Sequence, residues 1–282
     1  MSLDFGLQLY SVRDELAKDY VGTLEKVASI GYRNVELAFH QADQTLNVGG
    51  MTPAQLRETM DRLGLRVVSA HMDPMDKFDW DKVIAFNKEL GNTSIGKGIA
   101  FYRNKQDVLD ICSNLNRYGE ICKKNGMQFY YHNHFQEFQK FDDQYVLDIL
   151  LDNTDSELVK IELDIYWALR GGVDPINWLK QMGGRCDLVH LKDFPKGSEE
   201  PLNTFEVMGP DAEIDYNRFL EFKKPENFSE IGEGIFDVSR IVEEVRKLGY
   251  AKYIFVEQDL TTKNQLESVT ISYQNFSKHF SK

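Results

Sequence analysis

Eight times along its length the chain passes from a short β-rich run into a segment with helical periodicity, and this alternation limits the fold more than any other feature. The runs are Phe5–Tyr10, Asn34–Ala38, Arg66–Met72, Thr93–Ala100, Met127–His134, Leu158–Trp167, Asp187–Phe194 and Lys252–Asp259. Between them the apolar residues recur every three or four positions. The clearest case is 237–248, where Val238, Ile241, Val242, Val245 and Leu248 follow Asp237, a helix-capping residue type. Three helical segments end in glycine just before the next run, at Gly31, Gly64 and Gly249, where a left-handed residue closes a helix without steric cost. Eight βα units in 282 residues is the arithmetic of an α/β protein built as a single (β/α)8 TIM barrel. A dinucleotide-binding sheet is disfavoured, because no GxGxxG follows the first run. No Pro/Gly/Ser-rich linker divides the chain, so residues 1–282 are expected to form one domain. The stretch at about 195–229, rich in Glu, Asp, Asn and Pro, is expected to be a lid-like insert on the rim.

In such barrels the active site lies at the C-terminal ends of the strands, so strand-end residues carry the functional reading. The stretch LVKIELDIYW (Leu158–Trp167) puts Ile161, Leu163 and Ile165 on one face and Lys160, Glu162 and Asp164 on the other. Carboxylates on a strand buried on both sides need a compensating partner, either a metal or a Lys or Arg. CDLVHLKDF (Cys186–Phe194) sets His190 and Lys192 on one face of the next strand. Four of the six histidines, His71, His132, His134 and His190, fall at or near the ends of the third, fifth and seventh strands. A lone strand-end His is more often a hydrogen-bonded packing residue, and a lone Asp is often a helix cap. His132, Asp164, His190 and Glu257 on four neighbouring strands are harder to dismiss. Mixed imidazole and carboxylate ligands suit divalent ions of the Mn, Fe, Co and Zn group. The expected cofactor is therefore a divalent metal, with Mn2+ first and Zn2+, Co2+ or Mg2+ as alternatives.

Composition narrows the partners. A net charge of −12, from 45 acids against 33 bases, argues against nucleic acid and is neutral towards a small carbohydrate. No stretch reaches the roughly 18 consecutive apolar residues of a membrane span, and MSLDFGLQLYSVRD lacks a secretory pattern. Three widely spaced cysteines form neither a metal motif nor a disulfide framework, so a cytoplasmic protein is expected. A homo-oligomer is compatible with all of this.

Taken together, QLYSVRD at the first strand, SAH at the third, YHNH at the fifth, ELDIYW at the sixth, HLKD at the seventh, GEGIFD before the last helix–strand unit and FVEQD at the eighth form an ordered set. In order and spacing they resemble the sugar phosphate isomerase/epimerase group of the xylose isomerase-like TIM barrels, which includes D-tagatose 3-epimerase and inosose dehydratase. The resemblance implies metal ligands at Asp164, His190 and Glu257. At the fifth strand the sugar epimerases of the group carry a Glu that both binds metal and moves a proton, whereas this chain has His132-Asn133. His132 can still ligate, as a neutral group, with Glu137 as its alternative. Substrate contacts are expected from Gln8, Tyr10, Glu36, His71, His134, Tyr166 and Trp167.

Glu257, His132 and Lys192 are the expected catalytic groups. Lys192 would stabilise an enolate oxygen or bind a carboxylate or phosphate, or else form a salt bridge to Glu162. Gly232-Glu233-Gly234 reads as a turn with a weak hint of phosphate binding. The first expectation for activity is a metal-dependent isomerase or epimerase that enolises a keto sugar, sugar acid or sugar phosphate. A lyase of the inosose dehydratase kind is the alternative, favoured by His132 because elimination needs no symmetric carboxylate pair. A barrel that binds sugar without turning it over is a third reading. An abasic-site endonuclease is disfavoured by the acidic balance.

Overall fold

The computed structural model describes residues 3–39, 46 and 48–280. Its eight barrel strands are β1 (Asp4–Gln8), β2 (Asn34–Phe39), β3 (Arg66–Met72), β4 (Ser94–Lys97), β5 (Gln128–His132), β6 (Val159–Asp164), β7 (Cys186–Leu191) and β8 (Tyr253–Val256). Each runs parallel to its neighbour, and β8 closes on β1 with Asp4 opposite Tyr253 and Leu7 opposite Val256. The single (β/α)8 barrel read from the alternation is the fold observed.

Strand alternation sorts the side chains into two environments. Leu7, Val35, Leu37, Ile95, Phe129, Ile161, Leu163, Val189, Ile254 and Val256 belong to the main apolar core shared with the surrounding helices. The opposite faces fill the lumen. Val68, Tyr130, Leu188 and Phe255 form a separate apolar cluster, while Glu36, Ser69, His71, His132, Glu162, Asp164 and His190 are buried polar groups on the same strands. Glu162 and Asp164 thus share a face, as their spacing requires.

The helices carry the expected punctuation. Asp237 accepts from the Arg240 N–H at 3.0 Å at the start of Val238–Leu248, and Gly249 ends that helix at φ +71°. Gly64 closes another in the same left-handed conformation at φ +65°, and Gly31 closes a third at φ +126°, outside that conformation. Among the described residues no helix is long and apolar enough to cross a membrane.

One expectation needs correction. The sixth run does not extend to Trp167: the strand stops at Asp164, and Ile165–Arg170 is helical. The cause is Asp164 itself, whose Oδ1 accepts the Trp167 N–H at 2.9 Å and caps the helix. The 195–229 segment, in turn, is more ordered than its composition suggests. It contains helices Phe205–Met208 and Tyr216–Leu220 and closes at its neck, where the Ser229 N–H donates to the Asp193 carbonyl at 3.0 Å. Its Ile214, Phe219, Phe222 and Phe228 form a second aromatic core with Phe135, Tyr166, Trp167 and Phe194. The buried Arg170 guanidinium holds Glu200 at 2.5 Å and the Pro201 carbonyl at 3.0 Å.

Candidate metal centre

His132 is the last residue of β5, Asp164 the last of β6, His190 the penultimate residue of β7, and Glu257 directly follows β8. One ligand atom from each lies within 4.8 Å of the other three. His132 Nδ1 stands 3.2 Å from the Gly98 carbonyl, a contact that requires an N–H at Nδ1 and leaves the lone pair on Nε2. That Nε2 is buried, has no hydrogen-bond partner and faces Asp164 Oδ2 at 3.4 Å. Burial, with further help from His190 and His71, holds the His132 pKa below the ordinary histidine value, so the ring stays neutral at neutral pH.

His190 turns Nδ1 to Glu257 at 2.9 Å and Nε2 to Glu36 at 2.7 Å. A carboxylate behind the ring is the arrangement that orients a ligating histidine. Two imidazole nitrogens and two carboxylates, one of them facing a bare buried lone pair, fit a divalent ion of the Mn-to-Zn group.

Lys192 lies against this ring. Its ammonium pairs with Asp164, with Glu257 at 2.6 Å and with Asp259 at 3.7 Å. The salt bridge to Glu162 expected from the sequence is not formed. Glu162 instead meets His71 at 2.5 Å and His190 at 3.3 Å. Burial alone would raise the Glu257 pKa, but Lys192 and His190 outweigh it and keep the carboxyl ionised. Lys192 is itself 1% exposed, so it neutralises Asp164 and Glu257 from behind and does not reach the open space above them.

That space is a cavity of about 330 Å³ lined by Tyr10, His71, His132, His134 and Glu257 among the expected residues. It is at the small end of the range of about 300–1,000 Å³ typical of small-molecule sites. Asp73, Lys97, Lys223 and Asp259 also line it, and none of them is among the contacts expected from the sequence. Asp259 and Lys97 could have been found by the strand-end rule, since each closes or follows a barrel strand. Lys223 had no such signal. It comes from the 195–229 segment and reaches Tyr10 Oη at 3.2 Å and Asp259 at 3.4 Å.

The structure does not bring the remaining expected contacts to the cavity. Gln8 is buried and donates to Glu36 at 2.6 Å, and Glu36 supports His190. Tyr166 and Trp167 are fully buried in the second aromatic core, with Tyr166 Oη donating to the Asn227 carbonyl at 2.7 Å. Glu137 lies outside the ring, held by Tyr131 Oη at 2.5 Å and the His134 N–H at 2.7 Å. The Gly232-Glu233-Gly234 turn is already occupied by an internal anion. The Asp193 carboxylate accepts from the N–H groups of Gly232, Gly234 and Phe236 at 3.0–3.1 Å. A Cβ at Gly234 would fall 2.1 Å from Asp193 Oδ1, so glycine is required there.

An eight-stranded parallel barrel with imidazole and carboxylate ligand atoms at its C-terminal mouth defines the class. The chain belongs to the xylose isomerase-like TIM barrel family, whose model matches residues 24–270. It is 28% identical over 166 residues to inosose dehydratase of Clostridium perfringens, covering 58% of this chain and 52% of that protein. The chain thus spans about half the length of the curated relatives it matches. A crystal structure of a sugar phosphate isomerase/epimerase from Parabacteroides distasonis superposes with a TM-score of 0.75 at 25% identity, over 99% of this chain and 95% of that one. A probable 3-DHS dehydratase from Bacillus anthracis shares the fold, with a TM-score of 0.69 at 15% identity over 96% and 98% of the two chains.

Proposed function

We propose that the protein is a metal-dependent lyase that eliminates water, or an alkoxy group, from a keto sugar or keto inositol by way of an enolate. The observation that carries this reading is the bare, buried Nε2 of His132, gathered with Asp164, His190 and Glu257 under a cavity of monosaccharide size. These four residues would hold the ion, Mn2+ being the first candidate. Once bound, it would polarise the substrate carbonyl and an adjacent hydroxyl and so lower the pKa of the C–H between them.

Glu257 is ionised and faces the cavity, which suits it to accept that proton. Lys192 and His190 fix its carboxylate, and Lys192 acts through Glu257 rather than by touching substrate. Lys223 and Tyr10, joined by a hydrogen bond at the cavity wall, are placed to give a proton to the departing hydroxyl. Isomerisation or epimerisation would share the first step. Elimination is preferred because the curated relatives carry the name inosose dehydratase, and because His132 stands where the epimerases of the group carry their second Glu.

Product mass tests the choice. With Mn2+ and a panel of keto sugars and keto inositols, loss of water is expected, together with exchange of the α-hydrogen in D2O. A product isomeric with its substrate would overturn the lyase reading. Full activity in Glu257→Gln would overturn the assignment of the base.

A further inference from the structure

Beneath the ring, one layer deeper in the lumen, lie four more potential ligands: Glu36 on β2, His71 on β3, Glu162 on β6 and the Nε2 side of His190 on β7. All four are essentially buried, and their ligand atoms lie within 4.8 Å of one another. Two of the contacts are hydrogen bonds, His71 Nε2 to Glu162 Oε2 at 2.5 Å and His190 Nε2 to Glu36 Oε2 at 2.7 Å. The second oxygen of each carboxylate, Glu36 Oε1 and Glu162 Oε1, is buried without a hydrogen-bond partner. Each is met only by a histidine nitrogen at ion-pair distance, and an ordinary buried network leaves few carboxylate oxygens without a hydrogen bond.

The bare oxygens have a definite geometry. Glu36 Oε1 is 3.4 Å from His71 Nε2, and Glu162 Oε1 is 3.3 Å from His190 Nε2. A tetrahedral ion with bonds of about 2.0–2.1 Å sets its ligands about 3.3 Å apart. Two edges of such a tetrahedron are therefore already in place. The hydrogen bonds to the other oxygens, Glu162 Oε2 and Glu36 Oε2, lie outside this tetrahedron and would be given up once a metal replaced their protons. Two carboxylates and a dication balance in charge. His71 lines the cavity, so an ion has a path inward.

We propose that Glu36, His71, Glu162 and His190 form a second, inner divalent-cation site, with His190 bridging it to the outer ring through its two nitrogens. Filling the inner site displaces the proton shared by His71 and Glu162 and the proton on His190 Nε2. Its occupancy is consequently coupled to proton release. The site shares His190 with the proposed metal centre but does not depend on which reaction that centre performs.

Metal stoichiometry at saturating Zn2+, measured by elemental analysis after removal of weakly held ion, tests the proposal on the whole chain. Two ions per chain are expected in the wild type, one in Glu162→Gln and one in Asp164→Asn. Wild type holding one ion, unchanged in Glu162→Gln, would overturn the inner site and make the cluster a support for His190 alone. An Asp164→Asn variant that keeps every ion would instead overturn the outer centre, so the two failures are distinguishable. Should Glu162→Gln not fold, Co2+ titration of the wild type decides. Visible bands that grow to a second equivalent, with about two protons released per inner ion, support the site, and saturation at one equivalent refutes it.

Discussion

Two buried acids on neighbouring strands show how alike chemistry serves opposite ends of this barrel. Asp187, at the N-terminal end of β7, has its carboxylate filled by Lys160 at 2.6 Å, Lys252 at 2.7 Å and Tyr130 Oη at 2.8 Å. Asp164, at the C-terminal end of β6, also has a lysine and a backbone N–H. It faces a histidine nitrogen that nothing else satisfies, beside a cavity. Buried charge is common to both regions. What separates them is the unsatisfied lone pair, which costs stability unless a ligand takes it up.

The largest expected effect comes from the C-terminal end. Asp164→Asn should reduce turnover by a thousandfold or more, about 4 kcal/mol in transition-state stabilisation, with loss of the outer ion. The fold should persist, because Lys192 keeps Glu257 and Asp259 as partners and an amide oxygen can still cap Ile165–Arg170. Circular dichroism and metal analysis check both halves. An unfolded variant would make Asp164 a structural acid and dissolve the contrast with Asp187.

Asp187→Asn should do the reverse. It removes the charge shared by Lys160, Lys252 and Tyr130 and should cost about 2–3 kcal/mol, less than a fully buried pair because the Lys252 side chain is 43% exposed. Metal stoichiometry should not change. Urea denaturation measures the loss. A drop in bound metal without a drop in stability would show that the bottom cluster also shapes the site.

The same contrast explains what the sequence made legible. Strand faces follow from a two-residue period, so the sequence alone puts Glu162 and Asp164 on one face of their strand. Barrel closure then brings His132, Asp164, His190 and Glu257 to one mouth. Which carboxylate Lys192 would choose was not legible. That depends on barrel stagger, including the register shift between Ile161 and Glu162 against β7. Tyr166 and Trp167 were misplaced because Asp164 ends its strand by capping a helix, and an apolar run of this length fits strand or helix equally well. Lys223 and the core of the 195–229 segment were hidden for another reason: short helices packed through scattered aromatics leave no period to read.

The smallest expected effect concerns pH and tests whether the two ends of the barrel respond at opposite limits. Burial alone would lower the His71 pKa, but Glu36 and Glu162 outweigh it and raise the value from 6.5 to about 9. A histidine whose folded pKa is raised contributes stability that is fully present below its unfolded value and lost as pH rises through the folded one. Metal-free protein should therefore lose about 1–3 kcal/mol between about pH 6.5 and about pH 9. Burial raises the Asp187 pKa, but Lys160 and Lys252 lower it further, so the stability it confers is lost only in acid, below about pH 3.9. His71→Asn should make the alkaline limb of a stability-against-pH curve shallower, leaving the part carried by His190, whose pKa is raised against burial by Glu162 and Glu36, and should leave the acid limb in place; Asp187→Asn should make only the acid limb shallower. If His71→Asn keeps the alkaline slope, the inner cluster does not hold its proton between Glu36 and Glu162, and the loss must be traced to another group.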